Sequence, residues 1–187
     1  MANPFVYEEA VAPEDLIDRK DETELVVERL VEGRNTRLAA PRRYGKTSLL
    51  RKVLREADRQ GLVPVYVNFL GVLTEADVAD RIELAYREQL DSPLRRWFEG
   101  VLRTWHPAAG VSTPGLPVRT SVSPAPAGRG LLQRLAVPRE LYRKHGRSCA
   151  IVFDEFQDVM TAGGNVDAVI RSELEQQGPA AAYVFSG

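Results

Sequence analysis

Along the chain, stretches whose apolar residues recur every three or four positions alternate with short stretches that are apolar almost throughout. The first kind predicts amphipathic helices and the second predicts strands. The earliest helix is expected in DRKDETELVVERLVEGRN, with Leu25, Val26, Leu30 and Val31 on one side and Gly33 as its stop. TRLAAP then reads as a short strand running into a loop. From Lys46 to Gln60 an apolar stripe of Leu49, Leu50, Val53, Leu54 and Ala57 predicts a helix ended by Gly61.

VPVYVNFL, β-branched, aromatic and opened by proline, predicts a second strand. Residues 75–106 read as helical, with Val78, Ile82, Ala85 and Leu90 at apolar positions. The break at DSP predicts Ser92 as a cap and Pro93 as the first residue of a new helix carrying Leu94, Trp97, Phe98, Val101, Leu102 and Trp105. Helix packing accounts for these tryptophans more readily than a base-stacking platform does. The Pro-, Gly- and Ser-rich run at about 106–130 is expected to be a long loop or insertion, with a short strand at PVRTSV. Pro138 opens a further helix, PRELYRKHG. SCAIVFDE reads as a strand buried on both faces, NVDAVIRSELEQQ as a helix, and AAYVFSG as a fourth strand. Strands alternating with helices predict an α/β fold around a mostly parallel sheet, with ligands at the carboxyl ends of its strands.

Composition narrows the functional classes. At 187 residues, 44% hydrophobic and 27% charged, the chain has the balance of a globular domain. Its formal net charge of −1 supplies no overall basic field for nucleic acid. The single cysteine, Cys149, has no partner for a disulfide, and with His106 and His145 it makes no zinc spacing. A packed core thiol in a reducing, cytoplasmic setting is expected. The N-terminus lacks the pattern of a signal peptide, and no run of about 18 apolar residues predicts a membrane span.

The candidate chemistry begins at APRRYGKT, Ala40 to Thr47, which fits G-x-x-x-x-G-K-[ST] at every fixed position but the first. A strand ends, the backbone curls, and a helix begins, so that N–H groups and the helix dipole face an anion. The candidate phosphate-binding residues are Ala40, Pro41, Arg42, Arg43, Tyr44, Gly45, Lys46, Thr47 and Ser48. Gly45 allows close approach, the ammonium of Lys46 reaches β- and γ-phosphates, and the hydroxyl of Thr47 ligates magnesium. Alanine at position 40 is cheap if φ there is negative. Arg42 and Arg43 either touch phosphate or a neighbouring subunit, or are solvated.

CAIVFDEF places Asp154 and Glu155 at the carboxyl end of a buried strand, beside that loop. Asp154 is the second candidate magnesium ligand. Glu155 is the candidate base that orients water for in-line attack on the γ-phosphate. Gln157 and Asp158 either support this pair or are surface residues, the surface reading being slightly favoured. Ser186, at the end of the last strand, either senses the γ-phosphate or is a turn serine.

NPFVYEEAVAPEDLIDR, APRRYGKTSLL and IVFDEFQDV, in this order, resemble the P-loop ATPases of the AAA+/STAND group, in particular the prokaryotic archaeal-type ATPases with their PRRxGKTSL loop and DEFQ strand end. The resemblance runs through nearly the whole chain. It implies a three-layer P-loop NTPase fold over 1–187, ATP and Mg2+ as ligands, and a phosphate-loop strand near the centre of the sheet. It also implies that the N-terminal segment, 1–35, lies on the adenine side, with Ile17, Asp18 and Arg19 as candidate adenine-side residues. Glu8 stands where the family usually carries glycine. A fifth strand, a helical lid with a second sensor arginine, and a winged-helix domain are features of such ATPases that are not found before Gly187. The chain is therefore expected to be truncated, with its loop strand at an exposed edge. Arg171 is one of several candidate arginine fingers.

Three functional readings follow. One is an ATPase that hydrolyses ATP with magnesium to drive a conformational switch. Another is a nucleotide-dependent signalling or scaffold module with little turnover. The third is a DNA-handling loader whose DNA contacts lie in a missing C-terminal domain. A protein partner of unstated identity and a homo-oligomer are compatible with each.

Overall fold

Strand β3, Cys149–Asp154, is apolar up to its last residue, and all of its positions are buried. Such a strand belongs inside a sheet covered on both faces. In the computed structural model, which describes residues 19–39, 45–105, 129–163 and 165–187, it is central. It pairs in parallel with β2, Val63–Asn68, on one side and with β4, Ala181–Ser186, on the other. β1, Thr36–Leu38, pairs in parallel with β4, giving the order β1-β4-β3-β2.

Helices cover both faces, so the predicted three-layer α/β architecture is present. On one face lie α1, Lys20–Val31, and α2, Lys46–Arg59. Their Val26, Leu30, Leu49, Leu50 and Val53 pack on Ala150, Val152, Ala182 and Val184. The other face carries α3, Glu75–Gln89; α4, Ser92–Trp105; α5, Arg129–Leu135; α6, Val137–His145; and α7, Val166–Leu174. The core there is larger and includes Phe69, Phe98, Phe153, Tyr86 and Tyr183. Trp97 and Trp105 pack against it at its margin, as helix-packing residues. Cys149 is fully buried at the start of β3, and that burial pushes its thiol up to about 12.

The two sheet edges differ. β1 is the outer strand on one side, where the resemblance implied a central position and the expected truncation implied an edge. β2, on the other side, is sealed. Pro64 has no N–H to offer. The Gln89 side chain accepts from the Tyr66 N–H at 2.8 Å and donates to the Tyr66 carbonyl at 2.7 Å. An amide side chain thus takes the place of a neighbouring strand.

Several local expectations are corrected. Leu25 and Val31 are exposed, and the buried stripe of α1 is Thr23, Val26, Val27 and Leu30. That set follows the i, i+3, i+4, i+7 spacing of a single helix face. Thr23 is tolerated there because its hydroxyl donates to the Arg19 carbonyl at 2.7 Å. The second strand stops at Asn68, whose side chain accepts from the Leu70 N–H and turns the chain. Asp91, rather than Ser92, caps α4, its carboxylate accepting from the Leu94 N–H at 3.0 Å. Helix α5 and a 3-10 helix over Phe156–Thr161 were not anticipated. The insertion through residue 128, including PVRTSV, lies outside the described residues.

Candidate functional site

The site forms where β3 and β4 end and α2 begins. Gly45 precedes α2 in the left-handed conformation, at φ 68 and ψ 22. A side chain there would be strained, which is the physical reason for glycine at this position. The turn of backbone it makes starts α2 directly at Lys46.

Lys46 extends to the acidic pair. Its Nζ lies 3.3 Å from Asp154 Oδ1 and 3.5 Å from Glu155 Oε1. Asp154 is almost completely buried, Lys46 largely so, and Glu155 more accessible. The buried carboxylate is well provided for. Oδ1 also accepts from the Glu155 backbone N–H at 3.0 Å, and Oδ2 accepts from the Tyr66 hydroxyl at 2.7 Å. Tyr66 was read from the sequence only as a strand residue. Burial, and then its hydrogen bond to Asp154, raise its phenol well above the ordinary tyrosine value.

Glu155 itself is in the left-handed region, at φ 53, the one non-glycine residue with positive φ among the described residues. Such a conformation costs about 1–3 kcal/mol and occurs preferentially at functional sites. It begins the 3-10 helix that brings Gln157 back, whose amide donates to Glu155 Oε2 at 2.5 Å. Asp158 accepts from the Gly71 N–H at 2.8 Å and ties that helix to the loop after β2. Gln157 is exposed, as the surface reading has it, and still reaches Glu155, whereas Asp158 is half-buried and holds the loop after β2.

Ser186 ends β4 almost fully buried. Among the described residues, three buried side-chain atoms lack a hydrogen-bond partner: Thr36 Oγ1, Gln177 Oε1 and Ser186 Oγ. Of these, Ser186 stands at the carboxyl edge of the sheet, where a ligand oxygen or a water can satisfy it. Ser48 is buried in the first turn of α2. Ile17, Asp18, Ala40, Pro41, Arg42, Arg43 and Tyr44 lie outside the described residues. Arg19 precedes α1 and pairs with Glu22 at 3.3 Å. Arg171 lines a different, mainly apolar cavity of about 360 Å3 with Phe156, Ile170 and Phe185.

The donor set fits magnesium. A threonine hydroxyl and one carboxylate are hard oxygen donors, and magnesium is usually held by few protein groups while keeping waters and phosphate oxygens. Among the described residues there is no cluster of three or more His, Cys, Asp or Glu side chains of the kind that builds an all-protein metal cage. No helix among them is long and apolar enough to cross a membrane.

Two solved structures share this architecture. The Aeropyrum pernix ORC2 protein in its ADPNP–ADP complexes matches with a TM-score of 0.55 at 18% identity, over 96% of this chain and 43% of that one. The ADP form of the same protein matches with a TM-score of 0.51 at 17% identity, over 96% of this chain and 44% of that one. The chain therefore spans less than half the length of the solved chains it matches. The likeness establishes the fold alone, a P-loop NTPase-like α/β architecture. No protein-family profile matches the chain, and no curated protein does.

Proposed function

We propose that the chain is an ATP-binding module that hydrolyses ATP with magnesium and uses the cycle as a conformational switch. The observation that carries this reading is the convergence of Lys46, from the start of α2, on Asp154 and Glu155 at the end of a buried strand. The two ORC2 structures, one with ADPNP and ADP and one with ADP, support a nucleotide as the ligand.

In this reading Lys46 holds the β- and γ-phosphates, and backbone N–H groups at the start of α2 face them. Thr47 and Asp154 hold the magnesium ion, which when bound neutralises charge developing on the phosphate oxygens. Glu155 accepts the proton of the attacking water, and Ser186 Oγ hydrogen-bonds to that water or to the γ-phosphate. Phosphates beside Gly45 compete with Asp154 and Glu155 for the single ammonium of Lys46. Nucleotide binding thus loosens a contact between α2 and β3, and the loosened contact is the switch.

A second reading, nucleotide binding with little turnover, has one observation in its favour. Both oxygens of Glu155 are engaged, one by Lys46 and the other by Gln157. A carboxylate so held must be released before it can take a proton from water.

Thermal unfolding with and without ATP and magnesium tests the shared part, since a ligand of the folded state alone must raise the midpoint. A rise is expected in the wild type and none in Lys46→Ala; the same rise in both would reject the site. Steady-state phosphate release then separates the two readings. Turnover abolished in Glu155→Gln with binding retained supports hydrolysis, whereas a negligible rate in the wild type supports the second reading.

A further inference from the structure

We propose that Tyr66 is the positioning residue that fixes Asp154 for magnesium: its hydroxyl, with the backbone N–H of Glu155, sets the orientation of that carboxylate. The inference rests on the nucleotide-binding reading above, and nothing in the phosphate-loop pattern requires it.

The geometry begins with strand alternation. In β2, Val63, Val65 and Val67 enter the larger core, so Pro64, Tyr66 and Asn68 face the side of α2. In β3, Ile151 and Phe153 enter the same larger core, so Val152 and Asp154 face the side of α2. The parallel register sets Tyr66 beside Val152 and Asn68 beside Asp154. From a place one pair back, a tyrosine has the length to bring its hydroxyl to the carboxylate. A shorter hydroxyl side chain does not.

Each part of the arrangement is fixed. The backbone of Tyr66 is clipped at both N–H and carbonyl by Gln89. Its hydroxyl donates to Asp154 Oδ2 at 2.7 Å. The opposite oxygen, Oδ1, accepts from the Glu155 N–H at 3.0 Å. Donors on the two oxygens from two different elements define the plane of the carboxylate. A carboxylate held only by Lys46 and Glu155 would be free to turn toward the ammonium. Partners that orient a metal ligand in this way commonly matter almost as much as the ligand itself.

The test is Tyr66→Phe, which removes one oxygen and keeps the ring. A fluorescent ATP analogue is titrated into the full chain, wild type and variant, in EDTA and then across a range of magnesium concentrations. The expected result is unchanged binding in EDTA with the magnesium concentration for half-maximal binding raised roughly tenfold. Gln89→Ala, which unclips the Tyr66 backbone, should shift the same quantity in the same direction by less, and it serves if Tyr66→Phe does not fold. A wild type with magnesium-dependent binding whose half-point neither substitution moves overturns the role of Tyr66. A wild type that binds no analogue overturns the nucleotide reading instead, so the two failures are distinct.

Discussion

The two faces of the sheet are built from the same strands and have different compositions. Toward α1 and α2 the two inner strands, β3 and β4, present small aliphatic residues, Ala150, Val152, Ala182 and Val184. Toward α3–α7 they present rings: Phe153 packs with Phe69 at 5.1 Å and Tyr183 at 5.2 Å between centroids. The alanines leave room for α2 to lie close on the sheet, and that closeness brings Lys46 to Asp154. The rings fill the volume that stabilises the domain. Neighbouring residues of β3 therefore face different surroundings: Phe153 packs into the aromatic core, whereas Asp154 is held by Lys46, Tyr66 and the Glu155 N–H.

Substitutions can break or sharpen this contrast. The largest effect is expected on the ring side. Phe153→Ala should cost about 3–5 kcal/mol in denaturant unfolding, because the cavity it leaves is ringed by other buried side chains. A loss as small as that of a surface substitution would mean that the aromatic cluster is not the stabilising face. On the other face, Gly45→Ala should cost about 1–2 kcal/mol through its left-handed backbone. It should also weaken nucleotide binding by more than its stability loss accounts for. Smallest is Leu25→Ala on the outer side of α1, expected to change stability by no more than about 0.5 kcal/mol. A larger loss would show that Leu25 is covered in solution.

Much of this was legible in the chain itself. The stripe of α2, the continuous apolar run of β3 and the Gly-Lys-Thr and Asp-Glu pairs all have strong local signals, and they define the fold and the centre of the site. Tyr66 did not, because its role depends on β2 lying next to β3 in one register, and strand order is a long-range property. A tyrosine two residues before the end of a strand is an ordinary strand residue until its neighbour is known. Gln89 is harder still, since its meaning arises only at a sheet edge. Leu25 and Val31 were misassigned because α1 carries more apolar residues than its buried face needs, and Thr23 supplies the missing position. Asp91 was overlooked as a cap because Ser92 and Pro93 offered a competing start one residue later. Helix α5 is short and follows a Pro- and Gly-rich run, so its periodicity has too few turns to register.

The lone cysteine gives the domain a built-in clock. Cys149 sits in the central strand, and with its thiol pushed up to about 12 it is almost wholly protonated at neutral pH. An alkylating reagent can reach it only when the sheet opens, so the rate of labelling counts openings. Compared with and without a ligand, that rate reports how tightly occupancy of the carboxyl edge holds the middle of the domain shut, without any label having to be introduced.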